Sequence, residues 1–308
     1  MRLTGIKTLP AGALILLCLL WAVASLRTDL LPASLPQNNT SPLLNQAGIL
    51  ALFAIIAAIT AFLQNAKWPH RRSLLQTLLV GAGLITLPAL LVELAKGYID
   101  DPTRVALFSL VPVFAVVLEP HLNSASQPPP RAALACALAA VAGTLLIFPV
   151  ELPTTPATAL AFSGVLIAVV SVAAANALGV KFTRDLPPLS LSGFAAIAAG
   201  SAAFLLAIAG LSFGPRTWSA AHISAWAIPD LLALALLFWL MRRMSAVRMT
   251  TRFLIAPLIA NLIALAFLRP GIQTRAWLGL LLIALGSGWL LLSPEDDPEK
   301  SSSLLGIR

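Results

Sequence analysis

Long apolar runs broken by short polar turns dominate the chain, and their spacing predicts ten membrane-spanning helices. The runs lie at about Ala11–Leu26, Ala47–Leu63, Leu74–Leu94, Val105–Leu118 and Ala132–Phe148. Five more follow at about Ala157–Leu178, Leu189–Leu211, Trp226–Met241, Ala246–Leu268 and Trp277–Leu292. A helix needs roughly 20 apolar residues to cross a bilayer, and these continuous runs come close to that length. A membrane barrel would instead show short segments with alternating polarity. The turns between runs carry charge, as in Lys67-Trp68-Pro69-His70-Arg71-Arg72, Lys181-Phe182-Thr183-Arg184 and Arg242-Arg243. Residues 1–10 read as a short basic arm, and 294–308 as a polar, disordered tail.

Composition makes the same point more strongly. Of 308 residues, 59% are hydrophobic and 10% charged, against about 25% charged in soluble domains. With a mean hydropathy of +0.92, no water-soluble fold of this size hides so much apolar surface. The expected class is an all-α polytopic membrane protein. The net charge of +8 would suggest nucleic acid in a soluble protein. Here no basic run carries interleaved aromatics, so the charge reads as topogenic Lys and Arg, and no nucleic-acid partner is expected.

Cys18 and Cys136 both lie inside apolar runs, which excludes a disulfide framework and argues against a metal site. His70, His121 and His222 fall in turns or at helix ends. No HExxH, CxxC, phosphate loop or Ser/His/Asp set occurs, so neither an enzyme nor a cofactor is expected. The first apolar run lacks a small-x-small exit, so no cleaved signal is expected.

The chain also repeats itself. Overlaying Arg131–Glu151 on Arg275–Glu295 without gaps pairs Arg131 with Arg275, Leu134 with Leu278, Leu146 with Leu290 and Glu151 with Glu295. One residue of slip in the preceding loop then pairs Phe108 with Phe253, Pro112 with Pro257 and Ala115 with Ala260. Two halves of five spans are expected, over residues 11–150 and 157–293. With the N-terminus in the cytoplasm, the outer segments hold Arg27, Lys96, Arg104, Arg216, Arg269 and Arg275, and the other 14 of the 20 Lys and Arg lie inside. That bias favours both termini in the cytoplasm. An odd number of spans per half makes the repeat an inverted one, a plan typical of secondary transporters.

These features resemble the EamA-type branch of the drug/metabolite transporter superfamily. The likeness rests on Trp21 in the first span and on Tyr98 followed by Arg104 to Pro112. It rests also on Ser245-Ala246-Val247-Arg248 running on to Pro257, and on Gly279 to Gly286 in the last span. It covers roughly residues 10–293. It departs from the family pattern at Glu119, which comes early, at Arg269, which stands where an acidic residue is usual, and at Ala135, which replaces a Gly. The resemblance implies a secondary transporter or exporter of small metabolites, amino-acid-like or drug-like, in a bacterial inner membrane.

A transporter needs a few polar groups in a cavity near the midplane. Arg252, five residues before Pro257, is the sharpest candidate. It reads either as an anion contact or as a rim arginine that snorkels to the interface, with Arg248 one turn earlier. Asn176 and Asn261 read as substrate contacts or as interhelical hydrogen bonds. Ser109 could line the cavity or bond to its own helix, and Trp21 could do so or belong to the interfacial belt. Pro112 and Pro257 each free a backbone carbonyl and are hinge candidates. Glu93 and Asp230 could couple proton movement or sit as solvated rim carboxylates. Small residues on the fifth, seventh and tenth spans suit close packing within the monomer or a homodimer face. Partners are therefore a small solute, the lipid bilayer and a coupling proton or ion. Two rivals stay open, a lipid or lipid-linked-sugar flippase of the same architecture and a non-transporting membrane scaffold or regulator.

Overall fold

The computed structural model describes residues 4–30, 42–65, 71–122, 131–184, 200–201, 227–268 and 274–293. Among them every regular element is a helix, apart from a bridge between Lys96 and Ile99 in a tight turn. The helices are α1 (Thr4–Leu30), α2 (Pro42–Leu63), α3 (Arg71–Gly81), α4 (Leu87–Ala95), α5 (Asp101–Phe108) and α6 (Val111–Leu122). They continue with α7 (Arg131–Ile147), α8 (Pro156–Arg184), α9 (Ala227–Met241), α10 (Ala246–Thr250), α11 (Arg252–Leu268) and α12 (Thr274–Leu292). Seven stretches are long and apolar enough to cross a membrane, and α7 and the Ile228–Met241 part of α9 are shorter apolar helices. The predicted span Leu189–Leu211 lies almost wholly outside the described residues, as do the tail 294–308 and His70 and His222.

Outward faces identify the solvent. Only 22–44% of each long span is buried inside the protein, so most of each helix must face something apolar. Ile55, Ile59, Phe62, Leu79, Leu160, Leu281 and Leu285 are all more than half exposed. A surface this apolar is stable in lipid and not in water. The chain is an integral polytopic membrane protein, helical throughout its described regular elements.

Three of the predicted spans are broken, two of them just ahead of a proline. The third crossing, Arg71–Ala95, widens into a π-turn at Ala82–Thr86 between α3 and α4. Pro88 has no N–H, so a carbonyl about one turn earlier loses its helical donor. The Ser171 hydroxyl on α8 donates to Gly83 O at 2.9 Å and fills that gap. Ser171→Ala is expected to lower stability by about 1 kcal/mol, read as the thermal unfolding midpoint in detergent. An unchanged midpoint would remove this role.

The fourth crossing, expected at Val105–Leu118, runs from Asp101 to Leu122 with a break at Ser109–Leu110. Asp100 caps its start by accepting from Thr103 N at 3.3 Å. Pro112 is the second residue of α6 and not an interior proline. Its missing N–H costs little there, because the first helical amides have no intrahelical acceptor anyway. The bend expected at Pro112 thus lies ahead of it, at 109–110.

The predicted ninth span, expected as one run from Ala246 to Leu268, breaks at Thr251 into α10 and α11. Arg252 therefore opens a helix at the break. Pro257 does lie inside α11, where it leaves the Phe253 carbonyl without its helical donor.

Packing holds the two halves together. α7 and α12 form the most extensive helix pair among the described residues and run antiparallel. A Cβ on Gly143 would stand 2.6 Å from Gly279 O, and one on Gly286 would stand 2.5 Å from Cys136 O. Such close approach is open only to glycine. The main core joins α1, α2, α4, α8, α9 and α11 through buried Leu14, Leu17, Leu50, Val169, Phe238 and Ile255.

The bundle has two distinct ends. At one, the 95–101 turn sits near the start of α8, and Glu151 N donates to Thr103 Oγ1 at 3.0 Å. At the other, helices from both halves of the chain are tied together. Glu119 at the end of α6, 6% exposed, accepts from Val247 N at 3.2 Å, and Ser245 Oγ accepts from Arg248 N at 3.5 Å. Both satisfy amides that open α10 and have no helical acceptor. Lys181 Nζ donates to Leu122 O at 3.1 Å, and Arg248 Nη2 donates to Ser293 O.

Candidate functional site

Arg252 is the largest fully buried side chain among the described residues, at 1% exposure. Lys and Arg are almost never fully buried unless paired. Here no described carboxylate forms an ion pair with it. Nη1 donates to Asn176 Oδ1 at 3.1 Å and to Met249 O at 2.9 Å. Nε is buried with no hydrogen-bond partner among the described residues. The guanidinium lies 4.7 Å from the Phe253 ring centroid and 5.6 Å from that of Trp21. These cation–π contacts offset part of the desolvation, at about 0.5–2 kcal/mol each.

Several elements converge to build this arrangement. The Thr251 break turns the start of α11 inward, and Cys18 Sγ on α1 lies 4.0 Å from Arg252 O. Asn176 on α8 is wholly buried, and its Nδ2 donates to Val172 O at 2.7 Å. That bond leaves Oδ1 facing the arginine, so the amide acts as a fixed acceptor. Trp21 tilts on Phe253 at 6.5 Å, and Phe253 stacks on Phe108 at 5.8 Å.

Above Arg252 lies a cavity of about 460 Å³, within the range of small-molecule sites. Its wall is mostly apolar, from Ile49 and Leu50 on α2, Leu84 and Ile85 in the π-turn, Pro88 and Val92 on α4, and Leu234 and Leu237 on α9. Arg252, Phe253 and Phe108 lie at one end, and exposed Gln46 and half-buried Asp230 lie at the other. The cavity thus runs from the middle of the bundle toward the end that carries the 95–101 turn. Among the described residues no three His, Cys, Asp or Glu come close enough to hold a metal ion.

The structure therefore brings together Trp21, Asn176, Arg252 and Asp230 of the sequence candidates. The others stand apart. Ser109 is buried but donates to Ala106 O at 2.6 Å, within its own helix. Asn261 Nδ2 likewise donates to Pro257 O at 2.8 Å. Glu93 pairs with Lys96 at 3.7 Å. Ser109, Asn261, Glu93, Pro112 and Pro257 are not among the residues that line this cavity. The arginine is no rim residue snorkelling to water, since it is 1% exposed and lies at the inner end of the cavity.

Sequence reasoning missed Phe108, Phe253 and Gln46. Phe108 and Phe253 did carry a signal, because the sequence overlay pairs them and each precedes a paired proline by four residues. Gln46 sits at the edge of a span, where a polar residue is unremarked. The π-turn wall had only Pro88 to mark it.

No family model matches the chain, and no curated relative does. A solved structure described only as a crystal structure of a protein is similar to it, with a TM-score of 0.71 at 15% identity. The alignment covers 92% of this chain and 99% of the other. At that identity the likeness shows a shared fold and nothing of activity.

Proposed function

We propose that this chain is a secondary transporter that moves small organic solutes across the membrane by alternating access, with Arg252 as the contact for an anionic group. The observation that carries the reading is a buried guanidinium, paired with no described carboxylate, at the inner end of a cavity that leads to one end of the bundle. Retaining an unpaired buried cation is costly, and intramembrane charges of this kind usually serve a pathway or a ligand. At the opposite end, the Glu119–Val247, Lys181–Leu122 and Arg248–Ser293 bonds join helices that would have to part for release there.

The EamA-type resemblance supplies the rest of the reading, namely ten spans in two inverted repeats. Two features support the inversion. α7 and α12, the fifth and tenth predicted spans, pack antiparallel. Phe108 and Phe253, equivalent in the two halves, stack on each other, as residues beside a pseudo-two-fold axis would. Under the charge-based topology, both termini are cytoplasmic in a bacterial inner membrane and the cavity leads outward. Asp230 at its rim is then a candidate coupling group.

The test is a metabolite screen on intact cells with and without the chain, followed by exchange in proteoliposomes. Expected results are a solute whose distribution depends on the chain, and terminal tags protected from impermeant reagents. No solute difference in either format, or exposure of a single terminus, would count against the reading.

A further inference from the structure

We infer that the cavity selects monoanions with an apolar body, carboxylates seated on the Nε–Nη2 edge of Arg252, and discriminates against α-amino acids. Only the statement that the bound molecule is cargo rests on the transport reading; the ligand class stands on the cavity itself.

The donor count comes first. A guanidinium has five N–H groups in a fixed fork. Nη1 is engaged by Asn176 Oδ1 and Met249 O. Nε has no acceptor, and Nη2 bonds to no described residue. The edge left over presents two parallel donors, the geometry that a carboxylate accepts side-on. The buried, unpartnered Nε belongs to a side chain that lines the cavity.

The wall decides the rest of the ligand. Leu50, Ile85, Val92, Val172, Leu234 and Leu237 offer no hydrogen bonds. Each hydroxyl of a sugar or polyol would be stripped of water without replacement. Arg252 is the one Lys or Arg among the described lining residues, which leave a second anionic charge uncompensated.

An α-amino acid presents a sharper problem. Its ammonium lies about 3 Å from its own carboxylate. Seated on Arg252, it would meet a like charge, and the Trp21 and Phe253 faces that could hold a cation are already turned to the guanidinium. Asp230 is the one acidic group among the described lining residues, and it is too far away. On α8 the cavity reaches Val172, on α9 it spans Asp230 to Leu237, and deeper along both helices Gly179 meets Met241. The two helices therefore run parallel. Asn176, which holds Arg252, lies three residues before Gly179, and Asp230 lies eleven before Met241, so Asp230 stands nearer the rim by roughly 12 Å. Asp230 also has a partner of its own.

The test uses the full chain in nanodiscs and three probes with one body, 3-phenylpropionate, 3-phenylpropanamide and phenylalanine. Calorimetry should give 3-phenylpropionate about tenfold or more tighter binding than either of the others, as expected for a charge-assisted bidentate contact. Arg252→Gln should equalise the acid and the amide, with an unchanged elution profile as the check on folding. Equal binding of acid and amide to the unaltered chain, tighter binding of phenylalanine, or no binding of the acid would each overturn the inference. Counterflow in proteoliposomes separates it from the transport reading. Binding without exchange would defeat the transport reading and leave the ligand class standing. Exchange of a neutral polyol would do the reverse.

Discussion

Arg252→Ala is expected to reduce solute exchange by about 100-fold or more, while the amount of folded chain in the membrane stays the same. The size follows from losing a charge-assisted, bidentate contact, about 3 kcal/mol or more in a site shielded from water. The unchanged fold follows from a near balance. Burying the guanidinium costs several kcal/mol. Against that stand two hydrogen bonds to a charged donor, about 1.5–3 kcal/mol each, and two ring contacts of about 0.5–2 kcal/mol each. Removing the group therefore shifts stability little, even with Asn176 Oδ1 left without its donor. The checks are initial rates in proteoliposomes of matched protein content and the thermal midpoint of the purified variant. Full exchange by the variant would end the role of Arg252 in transport. A collapse of the midpoint would make it a structural cation instead.

Gly286→Ala is expected to destabilise the chain by about 1–3 kcal/mol, where the same change at Gly288 leaves it unaffected or slightly stabilised. The added Cβ would stand 2.5 Å from Cys136 O and 2.9 Å from Ala140 Cβ. Cys136 O is backbone of a packed helix, so the clash cannot be relieved by a side-chain rotation. α7 and α12 must move apart, and overpacking of this kind costs about 1–3 kcal/mol. In lipid, helix association depends on close packing because the tails are as apolar as the side chains. Nothing lies within 4 Å of a Cβ at Gly288, and Ala is favoured over Gly in a helix by up to about 1 kcal/mol. The measurement is the thermal midpoint of both variants in one detergent. Equal midpoints would show that the α7–α12 contact is not under steric constraint.

Much of the architecture is legible in the sequence, because the membrane imposes it residue by residue. In hydrocarbon every backbone group must be satisfied within its own segment, so a long apolar run can only be a helix. That constraint suffices for the described crossings, their order and their approximate ends. It also singles out Arg252, since a cation in an apolar run is rare whatever surrounds it. The breaks were less visible. Pro112 looks like an interior proline until the turn at Ser109–Leu110 makes it a helix start. Thr251 carries no breaker at all, and its hydroxyl simply donates to Arg248 O.

What the sequence determined by itself is the helical, lipid-embedded class and a short roster of polar residues that have to be accounted for. What tertiary structure alone decided is which of them meet. Ser109, Asn261 and Asn176 carry the same kinds of group in the same kind of run. The first two spend them on carbonyls of their own helices. Asn176 does so with one end of its amide and turns the other to Arg252. Local and interhelical hydrogen bonds satisfy a buried polar group about equally well, so residue type does not distinguish them. The rotation of each helix about its axis does, and that is set by packing against its neighbours.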